Sequence, residues 1–350
     1  MSGPDPRPLP NLDRYVRQIR YPPLGAEGQA RLAESRVLVC GCGALGSMLA
    51  NTLVRAGVGL VRIVDRDFVE LSNLQRQFLF DEEDVADQLP KAVAAAKKLR
   101  KVNSQVRIEP VVADVDHRNI EGLCDGIDAI VDGTDNFETR FLVNDLAVRR
   151  KIPWVYGGCL GAEGQTMTIL PGETPCLRCL MQECPPPGTM PTCDTAGILG
   201  PIVGVIASLE AIEAIKILSG HRETISRQLT VVELWDGCIR QVNVASLREQ
   251  VDCPTCKRGE YSWLEGRQGS QTAVLCGRNA VQLSHPGASV SLEQLARQLE
   301  GVGEVRRNSF LLRLKVDPYE LTVFPDGRAI VGGTSDVATA RTLYAKYIGH

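Results

Sequence analysis

The sequence predicts an α/β protein: a mostly parallel sheet with helices on both faces, a cysteine-bearing insert and a small α+β tail. Three observations predict it. Short apolar runs alternate with helix-patterned segments from Arg36 to Gly157. A glycine-rich turn joins the first run to the first helix pattern. Aromatic residues are only 5% of the chain against 44% hydrophobic, so the core is aliphatic and Ala/Gly-rich, as in helix-covered parallel sheets.

The elements follow in order. Arg36–Cys40 reads as a strand and Gly41-Cys42-Gly43-Ala44-Leu45-Gly46 as a turn. A helix then runs to about Arg55, and a second strand spans Gly59–Asp65. This is the βαβ unit of a Rossmann-like sheet. Further strands are expected at 106–112, 129–132 and 154–157, with a helix at 91–101. Gln165–Leu170 reads as a strand, and Pro171–Thr195 is Pro/Gly/Cys-rich with no hydrophobic period. Ile198–Ser219 is a strong buried helix, Leu229–Trp235 a strand, and Cys253–Glu260 a second irregular patch. From about Thr272 the pattern becomes α+β. It has a strand at Ala273, an amphipathic helix Ser291–Leu299 and an alternating strand Phe310–Val316. An Asp326-Gly327 hairpin follows, then a closing helix Ser335–Tyr347 capped by Thr334 or Ser335. The expected division is 1–265 and 266–350, with the cysteine insert within 171–260.

Composition excludes several classes. With 23% charged residues, 33 Gly and 20 Pro, the chain is neither disordered, collagen-like nor coiled coil. Its 39 basic and 42 acidic residues leave a net charge of -3, which argues against a nucleic-acid or membrane-surface role but permits a compact basic pocket. The first ten residues are polar and proline-rich, without a signal-peptide core. The most apolar stretch, Ile198–Ile206, runs into Glu210, Glu213 and Lys216, so no membrane span is expected. A cytoplasmic location follows as an expectation, and the 12 cysteines are then not disulfides.

Gly41-x-Gly43-x-x-Gly46 carries the first chemistry. The first glycine permits a tight turn, the second lets phosphates approach the backbone, and the third seats the helix on the sheet. The free N–H groups of the helix start attract an anion. Asp65, closing the second strand, is placed to accept hydrogen bonds from a ribose diol. NAD and ATP both fit that much. A triphosphate needs more positive charge, which Arg76 and Lys91 supply, and Asp135 can hold Mg2+ between phosphates. Together these favour ATP.

Cys176-Leu-Arg-Cys179 and Cys253-Pro-Thr-Cys256 are two C-x-x-C pairs in irregular segments. Each pair grips one metal from two corners, so the four thiolates read as a closed, structural Zn2+ site. A redox C-x-x-C normally opens a helix after a strand and comes singly. Cys40 and Cys42 flank the first glycine and are expected to pack; Cys124, Cys159, Cys238 and Cys276 carry no motif.

These motifs come in a telling order: Arg14-Tyr15-x-Arg17-Gln18, the glycine turn, Asp65-x-Asp67, Asn73-Leu-Gln-Arg76-Gln77, Lys91-Ala92 and Asp132-x-Thr-Asp135-Asn136. The ordered set resembles the ThiF/MoeB/HesA family, bacterial relatives of ubiquitin-activating enzymes, over about residues 10–260. The resemblance implies an adenylyltransferase. It would activate the C-terminal glycine carboxylate of a ubiquitin-like sulfur carrier with Mg-ATP, releasing pyrophosphate, for thiamin, molybdopterin or related sulfur transfer. It implies that Asp65 holds the ribose, that Arg76 and Lys91 bind phosphates, and that Asp67, Asn73 and Gln77 line the same pocket. It further implies that Asp135 coordinates Mg2+ and that Arg14 reaches into the neighbouring subunit's site, hence a homodimer. The carboxylate nucleophile is already ionised at neutral pH, so no general base is needed.

The family also carries zinc at matching cysteine pairs, and a cysteine in the loop after the first pair takes up the activated carrier. Cys193, in Thr-Cys-Asp-Thr-Ala-Gly, falls at that position just ahead of a helix whose dipole favours a thiolate; Cys184 in the same loop is its rival. The tail departs from the short members of the family. It is too short for a rhodanese domain, and Cys276-Gly-Arg-Asn is not a convincing rhodanese loop. A docking or dimer-stabilising role, and a separate sulfur-donor protein, are the expectation. Two other readings compete: adenylation of a peptide or modified-tRNA carboxylate, and an NAD-dependent oxidoreductase or non-catalytic nucleotide-binding module. Arg14, Arg76, Lys91 and Asp135 speak against the second.

Overall fold

In a computed structural model, residues 12–185, 196–268, 272–275, 279–284 and 290–348 are described. The chain divides into two compact units. The first comprises Met1–Cys184 and Ile198–Arg267, and the second is built on Gln268–His350.

The first unit holds an eight-stranded sheet in the order β3-β2-β1-β4-β5-β6-β7-β8. β1 (Arg36–Cys40), β2 (Leu60–Val64), β3 (Arg107–Val111), β4 (Ala129–Asp132) and β5 (Trp154–Leu160) run parallel. β6 (Glu163–Ile169), β7 (Gln228–Glu233) and β8 (Cys238–Asn243) extend it antiparallel. Strand order reverses between β1 and β4, so a crevice opens beyond their carboxyl ends, where ligands of such sheets bind. Helices flank it: α1 (Gly25–Glu34), α2 (Ala44–Ala56), α3 (Lys91–Val102), α4 (Phe137–Arg150) and α5 (Gly200–Leu218).

Both faces of the central strands are buried, since successive side chains point to opposite sides and helices cover each face; the edge strand β8 stays exposed. On one face Val37 and Val39 pack with Leu49 and Leu53 of α2, Ala95 and Leu99 of α3, and Ile202 and Ile206 of α5. On the other, Leu38 and Cys40 pack with Phe141 and Leu146 of α4. The central strands therefore show almost unbroken apolar runs, as the composition led us to expect. α4, α1 and β8 lack a legible sequence signal: α4 is polar along one side yet buries Asn144 and Asp145 completely. Among the described residues no helix is long and apolar enough to cross a membrane.

The second unit is an antiparallel sheet, in the order β11-β12-β13-β14-β10-β9. Its strands are β9 (Thr272–Leu275), β10 (Ala280–Leu283), β11 (Glu304–Arg307), β12 (Leu312–Val316), β13 (Tyr319–Val323) and β14 (Ala329–Gly332). Leu312 and Leu314 alternate inward and pack with Leu321, Val323, Leu295 of α6 (Leu292–Gln298) and Leu343 of α7 (Val337–Tyr347). The Tyr344 hydroxyl donates to Gly327 O at 2.7 Å, tying α7 to the β13–β14 turn. The cap of α7 is a correction: it is Asp336, not Thr334 or Ser335. The Asp336 carboxylate accepts from the Thr339 N–H at 2.8 Å and its hydroxyl at 2.6 Å, while Thr334 Oγ1 accepts from the Asp336 N–H. A carboxylate satisfies the helix start better than a hydroxyl one residue too early.

Candidate active site

The crevice is built by turns at the carboxyl ends of four parallel strands. After β1, Gly41 adopts φ +88°, a left-handed conformation, and a Cβ there would lie 2.6 Å from Gly133 O. A Cβ on Gly46 would lie 1.9 Å from Gly41 O. These two glycines thus let the β1 turn close on α2 and on the β4 turn. Gly43 differs: a Cβ there would meet nothing closer than 3.9 Å, so its missing side chain leaves open space over the start of α2. That helix has no side-chain cap, and its first N–H groups remain available to an anion.

Asp65 follows β2. Its carboxylate accepts from the Cys42 N–H at 2.6 Å and from the Asp67 N–H at 2.7 Å, locking the β2 turn to the glycine turn. Burial raises the Asp65 carboxyl above the usual carboxylate range, and the nearby Asp67 charge adds to this; Lys91 and the two N–H donors pull the other way. Lys91, only 3% exposed, places Nζ 3.2 Å from Asp67 Oδ2. Gln77 donates to Asn73 Oδ1 at 2.7 Å, and both are buried. Its own Oε1 is buried without a partner, and its Nε2 is the side-chain atom nearest the space over Gly43. The orphan Oε1 suits a hydroxyl or amino donor of a nucleotide, while the open space over Gly43 and the α2 N-terminus suits its phosphate. Arg76, half-buried, donates to Ser72 O at 3.1 Å.

The β4 turn carries Asp132 and Asp135, which behave oppositely. Asp132 is 1% exposed. Its Oδ1 accepts from the Thr134 N–H and hydroxyl at 2.9 and 2.7 Å, and its Oδ2 accepts from Arg140 Nε at 3.2 Å. Burial raises its carboxyl; Arg140 and Thr134 oppose the shift. Asp135 is exposed and makes no ion pair among the described residues. Arg66 and Arg140 both feel its charge.

Two cations and one acid escaped sequence reasoning. Arg66 bonds both oxygens of Asp114 at 3.1 Å, beside Asp67. Arg140, 7% exposed, sits one helical turn inside α4, and the Asn136 cap four residues earlier was its only local signal. Glu210 of α5 is fully buried, and among the described residues neither carboxyl oxygen has a hydrogen-bond partner in ordinary geometry. Burial, then the Asp132 charge, pushes its carboxyl well above the usual range. Gly157 makes room for it: a Cβ there would lie 1.9 Å from Glu210 Oε1.

The cysteine pairs converge. Cys176 and Cys253 sulfurs lie 3.5 Å apart, Cys179 and Cys256 3.4 Å, and Cys176 and Cys179 3.9 Å. All four sulfurs fall within 4.8 Å of one another. Tetrahedral bonds of about 2.3 Å to one zinc ion require sulfurs about 3.8 Å apart, so the set fits that metal. α4 orients both pairs. Asn144 Oδ1 accepts from the Leu177 N–H at 2.8 Å, and Asp145 accepts from the Thr255 hydroxyl at 2.8 Å and the Trp263 N–H at 3.0 Å.

The remaining expected residues lie apart. Arg14 is exposed and donates to Val102 O at 3.0 Å, at the end of α3 opposite Lys91. Eleven residues of helix separate those ends by about 16 Å. Cys193 lies outside the described residues. Its rival Cys184 is half-buried, and burial and the Glu138 charge push its thiol up to about 11, leaving little thiolate at neutral pH. Cys40, Cys42 and Cys124 are buried packing residues.

Comparison with known proteins agrees with this architecture. The sequence matches the ThiF family over residues 15–255. It is 45% identical over 338 residues to the sulfur carrier protein ThiS adenylyltransferase of Bacillus subtilis, covering 96% of this chain and 99% of that protein. It is 42% identical over 254 residues to the SAMP-activating enzyme E1 of Haloferax volcanii, covering 73% of this chain and 92% of that one. Among solved structures, E. coli MccB with ATP superposes with a TM-score of 0.61 at 24% identity, covering 70% of this chain and 75% of that one, a likeness of fold. With the family matched over residues 15–255, from before the glycine turn to the second cysteine segment, this chain belongs to the ThiF family.

Proposed function

We propose that the chain is an adenylyltransferase that activates the C-terminal carboxylate of a ubiquitin-like sulfur-carrier protein with ATP, releasing pyrophosphate. The observation that carries this reading is the 45% identity to a ThiS adenylyltransferase across 96% of the chain, over a crevice with an open phosphate cradle. ATP supplies the electrophilic α-phosphate and its own leaving group. The residues position and neutralise. Gly43 and the α2 N-terminus accept phosphate, Asp65 holds the ribose, and Lys91 and Arg76 balance the phosphate charge. Asn73, Gln77 and Asp67 line the pocket, and Asp135 holds Mg2+. The bound carboxylate is ionised at neutral pH and attacks without a base.

Arg14 is held at Val102 O, the end of α3 remote from its own Lys91, which supports its acting on a neighbouring subunit's nucleotide in a homodimer. Four thiolates of Cys176, Cys179, Cys253 and Cys256 hold a structural Zn2+. Cys193 receives the activated carrier; burial and the Glu138 charge make the Cys184 thiol the poorer nucleophile. A separate protein donates sulfur, and residues 266–350 serve docking or dimer stability. ATP–pyrophosphate exchange tests the reading: it should require a carrier protein ending in Gly-Gly. Exchange without any carrier, or none with any Gly-Gly carrier, would sink it.

A further inference from the structure

Arg140 occupies the middle of a hydrogen-bonded knot that no catalytic role accounts for. Its Nε donates to Asp132 Oδ2 at 3.2 Å, and its Nη2 donates to Thr134 O at 2.8 Å and Gly157 O at 2.9 Å. The guanidinium lies over the rings of Phe137 at 5.5 Å and Tyr156 at 5.3 Å. Its acceptors thus belong to the turn after β4 and to the neighbouring strand β5, and its planar fork is the shape that spans both. Asp132 completes the knot by accepting from both Thr134 donors.

Asp135 stands next in the chain. On one side Thr134 is held by Arg140 and Asp132; on the other Asn136 caps α4, accepting from the Thr139 N–H at 2.8 Å. Asp135 itself takes part in none of these bonds and remains exposed. The backbone on both sides of it is therefore fixed, while Asp135 itself stays exposed at the carboxyl end of β4. A metal carboxylate is effective when its support is fixed before the ion arrives.

We propose that Arg140 is a positioning residue that presets the Asp132–Asp135 turn so that Asp135 meets the divalent cation of a bound nucleoside triphosphate. The role rests on the nucleotide reading above. It does not require Arg140 to touch nucleotide or carrier.

The test is the gain in ATP affinity that Mg2+ confers, measured by calorimetry on the full chain with ATP alone and with ATP plus Mg2+. Arg140→Lys keeps the charge beside Asp132 but loses the fork. It should bind Mg2+-free ATP as the wild type does and lose roughly tenfold of the Mg2+-dependent gain, the value of one bond to a charged group. Amide exchange at Gly133 and Thr134 should accelerate in the same variant. Thr134→Val, which removes the hydroxyl bond to Asp132 without touching a charge, should lose a smaller part of the gain, and it decides the matter if Arg140→Lys does not fold. A Mg2+-dependent gain equal to wild type in the folded variants would overturn the role of Arg140 alone. A wild-type protein whose ATP binding ignores Mg2+ would overturn both the role and the reading beneath it.

Discussion

Asp132 and Asp135 lie three residues apart on one turn, and their alanine variants should fail in opposite ways. Asp132 is buried and accepts three hydrogen bonds, one from Arg140. Removing it strands a buried guanidinium and two Thr134 donors, and breaking a buried pair from one side costs about 3–5 kcal/mol. Asp135 is exposed and makes no ion pair among the described residues, so its loss should change stability by less than about 0.5 kcal/mol. Its effect on chemistry should be large: losing a group that organises charge at the reacting phosphate costs about 100- to 1000-fold in rate, or roughly 3–4 kcal/mol. Urea denaturation and ATP–pyrophosphate exchange with a Gly-Gly carrier separate the two. Asp132→Ala should melt early, while Asp135→Ala should fold normally and fail to exchange. A stable Asp132→Ala, or an Asp135→Ala that exchanges at the wild-type rate, would refute the division of labour between them.

Three other outcomes are expected. Purified protein should carry one zinc ion per chain, and Cys253→Ser should lose it together with several kcal/mol of stability; metal analysis and melting check both. Glu210 has a folded carboxyl pKa raised above its unfolded value, so its contribution is most favourable below the ordinary glutamate range and is lost as pH rises towards the folded value. Glu210→Gln should therefore gain stability relative to wild type at pH 9 more than at pH 5, and equal differences at the two pH values would contradict this. Cys193→Ser should leave exchange near normal but form no covalent adduct with the carrier, whereas Cys184→Ser should still form it. Mass spectrometry of the non-reduced complex distinguishes them.

Much of the fold was legible because its signals are local. The β1 strand, the glycine turn and α2 are read from contiguous residues, and β4 matches its expected bounds, Ala129–Asp132. Gly41 and Gly46 were recognisable because their turn demands them. What stayed illegible depends on partners distant in the chain. Arg140 matters through Gly157 O, and Gly157 matters because Glu210 fills its side-chain space. Neither fact has a trace in spacing. Asn144 and Asp145 look like polar interruptions of a helix until the cysteine segments fold against them. The α7 cap was misplaced by one residue because Thr334, Ser335 and Asp336 all suit a helix start, and only the backbone turn chooses among them.

α4 carries Arg140 and Asn144 four residues apart, on one side of a single rigid rod. The first grips the turn that bears Asp135, and the second grips the peptide after Cys176. One helical turn joins the two grips, so a shift at Asn144 carries Arg140 with it. If the cysteine cluster holds an ion, its removal should be felt as weaker Mg2+-dependent nucleotide binding before the sheet unfolds, because the two grips share one helical turn.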